Sequence, residues 1–133
     1  MTLFSVLLLL SIGPVLAKTP EEKRALRLAA LETGRAYCPK ETYNEKRDSS
    51  MKFEVAVNAP ELEGQRAKLK RPEFCRCRVE QRIAKHGAER AGTFYLMNVD
   101  DSDIIGAYGT PSWIEIRAIE KKIFTECFRK SLY

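Results

Sequence analysis

The sequence predicts a mainly α-helical fold, a small disulfide-stapled domain of three to five helices. Proline-containing helix starts open several segments, apolar residues recur at helical spacing after them, and four cysteines follow an apolar leader. Periodicity and cysteine content are informative about fold class in a chain of 133 residues. The alternative is an α+β fold with a short two-stranded element from residues 51–57 and 93–99.

The first 17 residues contain no charged side chain and predict a secretory signal peptide. This apolar run falls short of the ~20 residues that a membrane span needs. It closes with Gly13, Pro14 and the small residue Ala17, which fits cleavage after Ala17. We therefore expect a secreted or periplasmic protein without a transmembrane segment in its mature form, in which residues 18–133 make a single helical disulfide-bonded domain.

The first predicted helix begins at Pro20 and ends near Cys38. Thr19 provides an N-cap, proline suits the first helical position, and Glu22 stands where a capping box places an acidic side chain. Pro39 then stops the helix, because the residue before a proline avoids helical backbone angles.

The patterns in the middle of the chain are weaker. Residues 39–50 are polar without periodicity and predict a loop, whereas apolar and polar residues alternate over 51–57, which predicts a short strand. Residues 61–71 are expected to be partly helical. Residues 93–99 fit either a strand or a buried helical turn, since short apolar runs are ambiguous.

Three further helices are predicted in the second half. Pro72 opens a helix that ends near His86, and the cluster Asp100-Asp101-Ser102-Asp103 predicts the cap of a short helix. The last helix begins at residues 110–112, where Ser112 and Glu115 have the spacing of a capping box.

The four cysteines predict two disulfide bonds, and three connectivities are possible. Cys75 and Cys77 stand 200° apart on a helix, so their sulfur atoms point to different sides. This spacing disfavours a bridge between them. Two connectivities stay open, in which Cys38 and Cys127 each reach one member of the central pair.

The positive charge is concentrated in one part of the chain. The formal net charge is +5, yet residues 66–90 alone hold nine basic and three acidic residues. On the predicted helix that ends near His86, four basic residues fall within an arc of ~60°: Arg71, Arg78, Arg82 and Lys85. Such a stripe favours an anionic partner, either an acidic protein surface or a cell-envelope polymer, although a solvated helix face is the simpler interpretation. No nucleic-acid recognition motif is present.

Catalytic patterns are sparse. His86 is the sole histidine, so a serine–histidine–aspartate triad would depend on it alone. Glu32, Arg35 and Glu120 lie within the apolar arcs of their helices, and together they could form a buried group or an acid–base pair. No metal site and no cofactor is expected, because Cys-x-Cys is not the usual zinc spacing.

The favoured hypothesis is a small secreted, non-enzymatic interaction protein, such as an inhibitor, a neutralising protein or a chaperone-like module. It would present its basic helix face to an anionic partner. The alternative is a small secreted enzyme. This would be either a carboxylate-based hydrolase that uses Glu32 and Glu120, or a thiol–disulfide exchanger that uses Cys75 and Cys77.

Overall fold

The computed structural model describes residues 18–97 and 100–133, so the predicted signal peptide lies outside the described part. Within that part the fold is mainly α-helical, as predicted. The α-helices are α1 (Pro20–Tyr37), α2 (Glu45–Asn58), α3 (Arg71–His86), α4 (Ala88–Met97), α5 (Asp101–Tyr108) and α6 (Thr110–Lys130). Two 3-10 helices span Cys38–Lys40 and Pro60–Lys68. None of the described helices is long and apolar enough to cross a membrane.

Helix starts follow the chemistry of their capping residues. The Thr19 side chain accepts a hydrogen bond from the Glu22 amide (3.2 Å) at the start of α1, as predicted. Asp100 and Asp103 form a reciprocal capping box at the start of α5, which also confirms the prediction. The cap predicted at Ser112 is wrong, because α6 starts after Gly109 without a side-chain cap. Gly109 has a φ of 85°, a backbone angle that glycine tolerates best.

Residues 51–57 form no strand but lie within α2. Asn44 caps this helix by accepting a hydrogen bond from the Arg47 amide (2.8 Å). Met51 and Val55 are buried one helical turn apart, whereas Phe53 is 70% exposed. The apolar residues that are buried therefore have helical spacing, although the sequence alternates between apolar and polar residues.

The α+β alternative is therefore wrong for the described residues. Residues 93–97 belong to α4, and 98–99 lie outside the described part. The β pairing found in residues 18–97 and 100–133 is an isolated antiparallel bridge between Leu69 and Leu132. The six α-helices of the described residues exceed the three to five predicted, because α2 was predicted as a loop and a strand, and residues 93–99 were left open between a strand and a helical turn.

Helix α3 lies at the centre of the fold and is held by both disulfide bonds. It contacts α1, α4, α6 and the first 3-10 helix. Cys75 bonds to Cys38 and Cys77 bonds to Cys127, with Cα–Cα distances of 5.3 and 5.5 Å. The structure thus confirms that the central cysteines face different sides of α3, and it selects one of the two connectivities that the sequence left open.

Two groups of buried side chains lie along α3. The first, here called the aromatic cluster, is the larger and contains Met51, Val55, Ala59, Leu62, Leu69, Phe74, Ile123, Phe124, Cys127 and Phe128. The second, here called the aliphatic cluster, contains Leu31, Cys38, Val79 and Ala91. Each cluster includes one half of a disulfide bond, so each cross-link lies against apolar packing.

Candidate functional site: an arginine-lined cleft

A cleft of about 760 Å³ opens between α1, α2, α3 and α4. Its basic lining residues are Lys46, Arg47, Arg71, Arg78 and Arg82, its acidic ones are Glu41 and Glu54, and its aromatic ones are Tyr37, Phe74 and Tyr95. Three of the four residues of the predicted basic stripe therefore line one concave surface. The fourth, Lys85, is exposed and lies outside the cleft lining.

The periodicity of α3 places its arginines in a row along the cleft. Arg78 follows Arg71 by seven residues and Arg82 follows Arg78 by four, which are spacings that return to the same helical face. At 1.5 Å per residue, the successive Cα positions are about 10 Å and about 6 Å apart along the helix axis.

Each arginine of this row pairs with an acidic residue from another helix. Arg71 donates to Asp48 (3.2 Å) and Arg78 to Glu54 (3.2 Å), both on α2. Arg82 donates through Nε to Glu120 (2.9 Å) on α6. The charges of these three arginines are therefore each compensated by a carboxylate that lies far away in the sequence.

Arg47 is a cleft residue that the sequence did not single out. Its Nη1 atom donates to both carboxylate oxygens of Glu41, at 3.0 and 2.9 Å, and its guanidinium lies 4.5 Å from the centre of the Tyr37 ring. It was missed because residues 39–50 were predicted as a loop. Asn44, which caps the helix that carries Arg47, was the available signal.

Arg78 is the cleft arginine with a buried donor that lacks a partner among the described residues. Its guanidinium lies 5.4 Å from the centres of the Phe74 and Phe124 rings. Its hydrogen bonds to Glu54 use Nη1, while the buried Nε has no partner among the described residues. Burial, together with the positive charge of Arg82, lowers the pKa of Arg78. A buried donor without an acceptor costs about 1–3 kcal/mol.

Glu120 is buried between Arg82 and His86. The His86 side chain is 1% exposed, and its Nε2 lies 3.2 Å from a Glu120 oxygen. Burial acts to raise the pKa of Glu120, but the hydrogen bond with His86 and the charge and hydrogen bonds of Arg82 outweigh it and lower that pKa to about 2. Glu120 is therefore ionised at neutral pH, and a general acid would need to be protonated.

The predicted buried group of Glu32, Arg35 and Glu120 does not form. Arg35 donates to Glu32 (2.8 Å) and to Glu80 (3.2 Å), and these three side chains are 39%, 68% and 61% exposed. The wide apolar arc of α1 placed Glu32 and Arg35 at its edge, not in the core. The geometry thus gives no support to a hydrolase that uses Glu32 and Glu120.

The geometry gives no support to a resting dithiol at Cys75 and Cys77 either. Both residues are oxidised, each in a different bridge, and none of the four cysteines is free. Across residues 18–97 and 100–133, no group of three or more His, Cys, Asp or Glu side chains is arranged to hold a metal ion.

A second cavity of about 550 Å³ shares Glu41 and Arg71 with the cleft. Here Asp48 accepts hydrogen bonds from both Arg66 and Arg71, each at 3.2 Å, so Arg71 has no carboxylate of its own. The Arg71 guanidinium also lies 5.5 Å from the centre of the Tyr43 ring. Arg71 thus stands between the two cavities.

Comparisons of the chain with protein-family models, with curated proteins and with solved structures give no match. A functional conclusion therefore depends on the chemistry of the cleft.

Proposed function

We propose that this protein is a small secreted, non-enzymatic binding module that takes an anionic partner at the arginine-lined cleft. The observation that carries the proposal is the convergence of four arginines on one concave surface: Arg47, Arg71, Arg78 and Arg82. The partner is an acidic protein surface or a cell-envelope polymer, and binding serves an inhibitory, neutralising or chaperone-like role.

The shape and the chemistry of the cleft support this proposal. Its volume of about 760 Å³ falls within the usual range for ligand sites. Arginine presents five donors in a planar fork that matches carboxylate and phosphate groups. The carboxylates of Glu41 and Glu54 each accept hydrogen bonds from one nitrogen only, Nη1 of Arg47 and Nη1 of Arg78 respectively. These pairs hold the guanidinium groups in place, which reduces the entropy that a partner must remove on binding.

Secretion is part of the same proposal. Two disulfide bonds are compatible with an oxidising compartment, and the uncharged leader of residues 1–17 supplies the export signal. Mass spectrometry of the protein from its native compartment should find an N-terminus at Lys18 and four oxidised cysteines. An intact leader or free thiols would contradict this.

Binding to fluorescein-labelled poly-L-glutamate at low salt tests the anionic partner. Arg47→Gln removes a cleft guanidinium, and Lys52→Gln is the matched control because it removes one charge from an exposed position on the same helix. We expect Arg47→Gln to weaken binding about fivefold, the equivalent of one hydrogen bond of about 1 kcal/mol. Lys52→Gln should show a smaller effect, and thermal unfolding checks that both variants are folded. Absence of binding, or equal weakening by both variants, would contradict the proposal.

A further inference from the structure

The cleft combines charged donors with apolar walls. Tyr37, Met51, Phe74 and Tyr95 line it together with the arginines. A polymer that carries only charged and hydroxyl groups would cover these walls without gaining from apolar burial. A peptide segment supplies carboxylates and apolar side chains together, so it matches both parts of the lining.

The exposed part of Arg78 indicates where a carboxylate would bind. Arg78 lines the cleft, and its side chain is 18% exposed. Its hydrogen bonds to Glu54 leave from Nη1, so Nη2 has no partner among the described residues. A carboxylate from outside the chain would bind at Nη2, and a hydrogen bond between two charged groups is about twice as strong as a neutral one.

The spacing of the arginines matches an extended peptide. Alternate residues of an extended chain lie on one face and are about 6.6 Å apart. This is close to the rise of about 6 Å between Arg78 and Arg82. The residues between them point to the opposite face, which suits a cleft whose other walls are aromatic.

On the basis of the proposed function, we infer that the cleft binds an acidic peptide segment of a partner protein in an extended conformation. Acidic residues at alternate positions meet Arg78 and Arg82, and the apolar residue between them packs against the walls near Tyr37 and Tyr95. The chemistry that is recognised is therefore a carboxylate next to an apolar side chain, not negative charge alone.

Fluorescence anisotropy with labelled peptides tests this inference. The probe is Glu-Leu-Glu-Leu-Glu. Glu-Ser-Glu-Ser-Glu removes the apolar groups, Glu-Glu-Glu-Leu-Leu keeps the composition without the alternation, and inorganic polyphosphate represents a purely charged polymer. We expect the disulfide-bonded protein to bind the probe at least about tenfold more tightly than either control peptide, a difference of about 1.4 kcal/mol.

Two lysine variants locate the site. Arg78→Lys keeps the charge next to Glu54 but removes Nη2 and the planar fork. Arg76→Lys is the matched control, because Arg76 is exposed on the same helix and lies outside the cleft lining. We expect Arg78→Lys to weaken binding of the probe about tenfold, since hydrogen bonds to charged groups contribute about 1.5–3 kcal/mol. Arg76→Lys should leave the affinity unchanged.

The remaining outcomes separate this inference from the proposed function. Equal binding of all anionic probes, or equal effects of both lysine variants, would overturn the peptide inference and leave the anionic partner standing. Tight binding of polyphosphate without binding of the probe would replace the peptide with an envelope polymer. If no anionic probe binds, both proposals fail.

Discussion

The two sides of α3 are stabilised in different ways. On one side, the aromatic cluster packs Phe74 edge-on against Phe124 and Phe128, with ring centres 5.3 and 5.9 Å apart, next to the Cys77–Cys127 bridge. On the other, the aliphatic cluster has four buried members, next to the Cys38–Cys75 bridge. One disulfide bond reinforces a substantial core, whereas the other supports a small one.

This difference matters because residues from both sides of α3 line the cleft. Phe74 and Met51 belong to the aromatic cluster, whereas Cys75 and Tyr95 pack against the aliphatic cluster. A binding surface whose two walls differ in stability can keep one wall fixed while the other adjusts. The comparison therefore predicts that the α1 side of the cleft is the adaptable one.

Removing each disulfide bond in turn should have the largest effects. The bridges close loops of 37 and 50 residues in sequence separation, for which chain entropy gives nearly equal stabilisation of about 4 kcal/mol each. We expect Cys38→Ala/Cys75→Ala and Cys77→Ala/Cys127→Ala to lower the free energy of unfolding by similar amounts, measured by urea denaturation.

The two double variants should differ in where protection is lost. Without the Cys38–Cys75 bridge, hydrogen exchange should speed up first in α1, because few buried side chains hold that helix to α3. Without the Cys77–Cys127 bridge, the aromatic cluster still holds α6 in place, so α6 is not released on its own. Exchange should then speed up evenly throughout the fold, because only its overall stability falls. Identical exchange profiles would contradict the comparison.

Acid should produce the next largest effect, through the contacts of Glu120 with His86 and Arg82. The pKa of Glu120 is lowered from 4.5 to about 2 in the folded protein. A lowered pKa stabilises the fold above the unfolded value, and this contribution is lost as the pH falls through the folded value. We expect a loss of roughly 3 kcal/mol from this group between about pH 5 and pH 2, by denaturation at each pH.

Two variants assign the acid effect to Glu120. Glu120→Gln cannot be ionised, so the decline in its stability over this pH range should be smaller than in the wild type. Glu115→Gln, at an exposed position of the same helix, should keep the full decline. If Glu120→Gln and the wild type lose equal stability with acid, the contacts of Glu120 with His86 and Arg82 do not stabilise α3 against α6 as the structure indicates.

Local signals explain why much of the fold could be predicted. Thr19 and the aspartates at 100 and 103 act on amides within one helical turn, so their capping role is visible in the sequence. The divergence of Cys75 and Cys77 likewise follows from helical geometry alone. Helix α2 was missed because the exposed Phe53 completed an alternating pattern that tertiary packing does not use.

The cleft could be predicted only in part. The sequence placed Arg71, Arg78 and Arg82 on one helical face, and this holds in the structure. It did not reveal their carboxylate partners, because Asp48 and Glu120 come from other helices and their pairing depends on the tertiary fold. The charge excess of residues 66–90 therefore predicted the basic lining of the cleft, but it overstated the net charge of that lining.

A close helix crossing on the aliphatic side offers a smaller test. At Gly92 of α4, an added Cβ would overlap the backbone carbonyl oxygen of Arg27 in α1. We expect Gly92→Ala to lower the free energy of unfolding by about 2 kcal/mol, because a backbone group cannot move aside as a side chain can. Gly64→Ala is the control, since nothing lies within 4 Å of its added Cβ. Equal stabilities of the two variants would show that α1 and α4 are not in close contact.

The smallest stability change is expected at Gly34, where α1 meets the cleft. An added Cβ would lie 2.9 Å from Cε1 of Tyr95, a side chain that can rotate away, and alanine favours the helix more than glycine does. We expect Gly34→Ala to change stability by less than about 1 kcal/mol, because these two effects oppose each other.

The displaced Tyr95 ring should nevertheless alter the cleft. Tyr95 lines it and lies against the Arg82 guanidinium at 5.9 Å, so Gly34→Ala should change the affinity for the Glu-Leu-Glu-Leu-Glu peptide severalfold, whereas Gly64→Ala should not. A change in affinity without a change in stability would show that the side of the cleft next to α1 takes part in binding. If Gly34→Ala leaves affinity unchanged, Tyr95 is not part of the apolar wall that the peptide contacts, and the adaptable side of the cleft must lie nearer Tyr37.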